Sequence, residues 1–129
     1  MSLLEPAAGL LLGRRIPPPA GIPEGLIPEG VVLREGRLVP RIGGLLARMG
    51  GPAAAVTLGR TIVVDPGARL SPRLLVHELE HVRQWRADFL FPFRYTLATL
   101  RHGYLNNPYE VEARLAAASA EIPSAERLS

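Results

Sequence analysis

The spacing of apolar positions changes character along this chain. Over residues 1–30 no period is sustained. Pro17-Pro18-Pro19 and the doubled Ile-Pro-Glu-Gly at 22–25 and 27–30 break any helix or central strand, so this stretch reads as an extended Pro/Gly-rich arm. From residue 31 the pattern becomes that of a folded domain. Val31-Val32-Leu33 and Arg37-Leu38-Val39 flank Glu35-Gly36, which predicts a small hairpin. Pro40 then opens a helix with Ile42, Leu45, Leu46 and Met49 on one face, stopped by Gly50-Gly51-Pro52. Ala54 to Leu58 and Thr61 to Val64 read as strands joined by the two-residue connection Gly59-Arg60, and Asp65-Pro66-Gly67 is a turn. Ser71-Pro72 is an N-cap followed by proline in the first helical position. The helix it starts runs to about Asp88 with Leu75, Leu79 and Val82 as its core stripe. Pro92 starts another, carrying Tyr95, Leu97 and Leu100 to about Gly103. Asn107-Pro108 caps a last one, with Val111, Leu115, Ala118 and Ile122 as its expected buried face. The order ββαββααα predicts an α+β domain over residues 31–129, its helices packed against a small antiparallel sheet.

Composition narrows the chemistry. A chain of 129 residues fits one domain. With no cysteine, a disulfide scaffold and a thiolate metal site are excluded, so any metal must be held by His, Asp or Glu. All 15 basic residues are arginines, scattered along the chain, and the net charge is +3; no basic stripe points to nucleic acid. No segment is long and apolar enough to span a membrane, and Met1 to Pro6 lacks the positive region of a signal peptide, which gives the expectation of a cytoplasmic protein.

The chemistry-bearing motif is His77-Glu78-Leu79-Glu80-His81. On a helix, residues four apart lie about 40° apart around the axis and about 6 Å along it, so both imidazoles can meet one ion. Glu78, next to the first of them, can reach a water held there. Zinc with an open position takes three protein ligands, so a third is needed. Asp88 lies roughly 10 Å further along the same helix, too far to close the site. A metzincin would carry glycine at 84 and histidine at 87, where this chain has Gln84 and Ala87. His102 stands near a helix end. Glu110 and Glu112 remain, on the last helix; two residues apart, they lie about 200° apart, so one of them at most faces the metal, and Glu110 also fits the third position of a capping box behind Asn107. Tyr95, Tyr104 and Tyr109 are candidate donors to an oxyanion, Tyr104 foremost. Trp85, Phe89, Phe91 and Phe93 read as core or rim packing.

The segment Val76-His77-Glu78-Leu79-Glu80-His81-Val82-Arg83-Gln84-Trp85 resembles the active helix of bacterial gluzincin-type zincins, and Asn107-Pro108-Tyr109-Glu110-Val111-Glu112-Ala113 resembles their downstream Asn-Pro-x-Glu-x-Glu-Ala motif. Ala55 to Ile62 is similar to the Ala-x-Thr-x-Gly-x-x-Ile hairpin that precedes this helix in the small zincin-like domain of bacterial contractile injection system proteins. The resemblance spans roughly residues 40–118. It implies a minimal zincin-like domain with one zinc per chain on His77, His81 and Glu110. The acidic residue that such peptidases often place after the alanine is Arg114 here. The implied activity is zinc-dependent hydrolysis of a peptide or protein substrate. In it Glu78 takes a proton from a zinc-held water, and Thr61 to Val64 offers a strand edge to the peptide. The alternative is a non-catalytic binding or assembly module on the same scaffold, with a structural or vestigial zinc site and the Pro-rich arm as its contact.

Overall fold

The computed structural model describes residues 9–47 and 49–120. After a helical stretch at 9–12, strand β1 (Arg14–Arg15) leads through a long irregular segment to β2 (Val32–Glu35) and helix α1 (Leu38–Leu46). Strands β3 (Ala55–Leu58) and β4 (Thr61–Val64) follow, and then helices α2 (Pro72–Ala87), α3 (Phe91–Asn106) and α4 (Pro108–Ser119). The protein is α+β: a four-stranded sheet of order β1-β2-β4-β3 packed against helices. Among the described residues no helix is long and apolar enough to cross a membrane.

Local signals explain most of these boundaries. Gly59 takes the positive φ (65°) that the tight β3–β4 hairpin requires. The Ser71 hydroxyl accepts from the Leu74 amide, and Asn107 Oδ1 accepts from the Tyr109 amide, so both helices that follow are capped as expected. Gly103 (φ 78°) breaks the helical path of α3, and the chain past it makes only one further turn.

Three expectations need correction. The hairpin over 31–39 does not form, because Leu38 and Val39 begin α1. The Gly36 amide bonds the Val64 carbonyl (3.0 Å), which continues the pairing of β2 with β4, a strand far along the sequence. That pairing is parallel, so the sheet is mixed and not antiparallel throughout. The two-arginine strand β1 supplies the antiparallel neighbour that β2 was expected to find in residues 37–39. Finally, Thr61–Val64 is interior, flanked by β2 and β3; the free edge beside the helices belongs to β3.

The core forms on one sheet face, where Leu33, Ile62 and Val64 meet Leu70, Leu75 and Val82. Ile16, Ile22, Leu26 and Ile27 of the Pro-rich segment pack against this cluster. Helix α1 covers the other face closely: a Cβ on Gly43 would stand 2.7 Å from Val56 Cγ2. Its expected apolar face is not the one it buries. Ile42, Leu45 and Leu46 are exposed, and Pro40 and Gly44 are the buried residues. Helix α4 departs in the same way. Val111, Leu115 and Ala118 are exposed, Glu110 and Ala113 are buried, and Ile122 lies outside the described residues.

Candidate metal centre

The site forms where α2 crosses β3 and meets α4. His77, Glu78 and His81 bring ligand atoms within 4.8 Å of one another, a cluster that could hold a metal ion. Each imidazole turns its Nε2 toward α4. His77 Nε2 stands 3.0 Å from one Glu110 oxygen and His81 Nε2 stands 3.1 Å from the other. Glu110 is therefore brought to the histidine pair. Glu112 is not: its exposed carboxylate accepts from Gln84 Nε2 (2.9 Å). Asp88 pairs with Arg94 (2.7 Å), and His102 is exposed on α3.

The surroundings orient these groups. Gln84 Nε2 donates to both the Tyr109 carbonyl (3.0 Å) and Glu112, so its oxygen is the atom facing His81 Nδ1 at 2.7 Å. His81 Nδ1 must then be the donor, which commits Nε2 to the cluster. Thr57 of β3 donates to Glu78 Oε1 (2.8 Å), and Trp85 Nε1 donates to the Thr57 carbonyl (3.2 Å). Tyr95 donates to Glu110, and Tyr104 lies close enough to feel its charge. The Asn107 side chain, fully buried, donates to Thr99 Oγ1 (2.9 Å) and the Tyr95 carbonyl (3.3 Å) while capping α4, which ties the tyrosine helix to the glutamate helix. Phe91 packs among Trp85, Tyr95 and Tyr109 at ring separations of 5.4, 5.6 and 5.0 Å. Phe89 and Phe93, expected to pack, are exposed.

Electrostatics follow from burial and partners. Burial raises the Glu78 carboxyl above its ordinary range, against the lowering influence of His81, the Thr57 hydrogen bond and His77. Burial also opposes the charge on Glu110, but its hydrogen bonds to His77, His81 and Tyr95 hold it well below the usual carboxylate range. For His81, burial disfavours the cation; Glu110 outweighs it, and with Glu78 and Gln84 pushes the imidazole up to about 9. Burial followed by the Glu110 charge raises both Tyr95 and Tyr104, so both phenols stay protonated donors.

Thr57 and Gln84 hold Glu78 and His81 in place, and motif reasoning gave neither of them a role. Gln84 carries a signal, since it follows His81 by three residues on one helix. Thr57 carries none beyond its place in the hairpin.

The donor set fits zinc. Two imidazoles and a carboxylate converge, one imidazole has its other nitrogen fixed by an outer partner, and the sequence has no cysteine to offer a thiolate instead. Glu78, His81, Glu110, Tyr95 and Tyr104 line a cavity of ≈ 310 Å³.

Residues 47–88 match the family described as the eCIS core domain (extracellular contractile injection system). The match takes in β3, β4 and α2, with His77, Glu78 and His81, and ends before Glu110. No curated protein and no solved structure matches the chain.

Proposed function

We propose that this domain is a zinc-dependent peptidase, with one zinc per chain held by His77, His81 and Glu110 and with Glu78 as the general base. One observation carries the reading: Glu78 lies beside the histidine pair and lines the cavity, its carboxylate hydrogen-bonded to Thr57 and to neither imidazole. A proton acceptor in that position serves chemistry at a site open to a substrate.

When bound, zinc would polarise a scissile carbonyl and ease the ionisation of water. The chain's own groups do the rest. Glu78, with Thr57 fixing one oxygen, accepts the proton of the attacking water and returns it to the leaving amine. Its raised proton affinity suits both halves of that task. Tyr95 and Tyr104 line the same space; Tyr95 donates its one O–H to Glu110, so Tyr104 is the phenol that donates toward the oxygen that gains charge. Gln84 keeps His81 presenting Nε2.

The deciding experiment pairs metal analysis with a peptidase assay on wild type and Glu78→Gln. Both proteins should carry about one zinc per chain. Cleavage should fall by ~10²–10⁴-fold in the variant, the usual worth of a positioned base. Equal cleavage by both would remove Glu78 from the mechanism. A zinc-loaded wild type that cleaves nothing would make the domain a non-catalytic binding or assembly module.

A further inference from the structure

We infer that the face made by α1 and α3, on either side of the cavity mouth, docks on a lipid bilayer with anionic headgroups. The inference is independent of the peptidase reading, since it uses neither the histidine pair nor Glu78.

The spacing of apolar residues comes first. On α1, Leu38, Ile42 and Leu45 stand at i, i+4 and i+7, and on α3 Phe93, Leu97 and Leu100 repeat that spacing. Each set forms one stripe, and on the helix of a globular protein such a stripe faces the core. Here both stripes face out. All six side chains are exposed, Leu45 by 70%, Phe93 by 74% and Leu100 by 79%. The helices bury Pro40, Gly44 and Phe91 instead. Leu46 and Leu100 line the same cavity from α1 and α3, which sets the two stripes on either side of its mouth. Single exposed leucines are ordinary, whereas two apolar stripes around one opening mark an interaction surface.

Charge decides what covers it. The charged residues at 36–64 are Arg37, Arg41, Arg48 and Arg60, and those at 89–109 are Arg94 and Arg101; neither stretch has one of the chain's 12 acidic residues. At 100° per residue, Arg41 flanks the α1 stripe on the side away from Gly43 and Ala47, which line the cavity. Arg94 and Arg101 flank the α3 stripe on the side away from Pro92 and Thr96, which line it too. The order across the face is therefore arginine, apolar stripe, cavity mouth, apolar stripe, arginine. Asp88 matches Arg94 (2.7 Å), but Arg41 and Arg101 are exposed and meet no carboxylate among the described residues. A protein partner would need acidic groups on two separate rims and an apolar ridge shaped to fit between them. An anionic bilayer meets the same pattern without a shaped surface: its acyl region takes the leucines and Phe93, and its phosphates take the guanidinium groups. No helix among the described residues is long and apolar enough to cross, so the contact is with one leaflet.

The test is co-sedimentation of the full chain with vesicles of phosphatidylcholine, either alone or with about one-third phosphatidylglycerol. Binding to the anionic vesicles should be tighter by about tenfold or more, and the difference should shrink as salt is raised. Arg101→Gln should weaken it about fivefold. Phe93→Ser combined with Leu100→Ser should weaken it more than about tenfold with circular dichroism unchanged, since both positions are exposed. Leu115→Gln, at an exposed α4 position that does not line the cavity, should bind like wild type. Glu78→Gln should as well, whatever the peptidase assay shows. Equal binding to both vesicles, or a loss in Leu115→Gln as large as in the double variant, would overturn the inference. So would binding to neither; a dimer in solution that Phe93→Ser disperses would then assign the face to a second copy of the chain.

Discussion

Helices α2 and α4 both contribute to the cluster, and they bury different things. In α2 the apolar stripe points where its period says: Leu75 and Val82 enter the core, and the face carrying Glu78 and His81 is buried against β3 and α4. In α4 the larger apolar side chains Val111 and Leu115 face out, and the inward positions are Glu110 and Ala113, 3% and 0% exposed. An apolar stripe docks one helix. A carboxylate shared by two imidazoles and a phenol, with the fully buried small Ala113 one turn on, docks the other. The lesson is that a helix can be oriented by the chemistry it delivers, at the expense of its own amphipathic pattern.

The comparison can be attacked at four points, in descending order of effect. Glu110→Gln should lower zinc affinity by more than about 100-fold, whereas Glu112→Gln, whose carboxylate meets Gln84 and Arg83 and neither imidazole, should cost no more than the ~10–100-fold of a partner that orients a ligand. Competition titration with a chromogenic chelator reads both, and the reverse ranking would move the ligand to Glu112. Ala113→Leu should destabilise the metal-free protein by about 1–3 kcal/mol through overpacking, read as a lower urea midpoint. An unchanged midpoint would mean that α4 does not pack closely at that position. Asn107→Ala should cost about 1–2 kcal/mol, because it removes a cap and two part-buried hydrogen bonds. Stability equal to wild type would show that the link between α3 and α4 is dispensable. Leu115→Gln should stay within about 0.5 kcal/mol of wild type; a large loss would restore the expected apolar face.

What could be read in the sequence was local. Ser71-Pro72, Gly59-Arg60, Asn107-Pro108 and the HExxH spacing each act within a few residues, and each stands where it was expected. What could not be read depends on distant partners. Nothing near Arg14-Arg15 signals a strand; β1 exists because β2 offers it an edge. The parallel register of β2 on β4 is invisible until α1 is seen to carry the chain across the sheet. The choice between Glu110 and Glu112 was open to periodicity, because the apolar stripe used to judge α4 is not the face it buries. Resemblance to gluzincins pointed to Glu110, and its carboxylate is the one that meets the imidazoles. Thr57 and Gln84 matter through contacts that form only once β3, α2 and α4 are assembled.

The chain contains a single tryptophan, and it is Trp85, which lines the cavity and donates to the Thr57 carbonyl. Its fluorescence therefore reports from one known place with no label added. A ligand that displaces water beside the indole should shift the emission to shorter wavelength, and the shift should saturate with binding. An emission spectrum that stays fixed while a ligand saturates would place that ligand away from the indole. The residue that ties α2 to β3 is thus also the protein's built-in optical probe of what enters beside it.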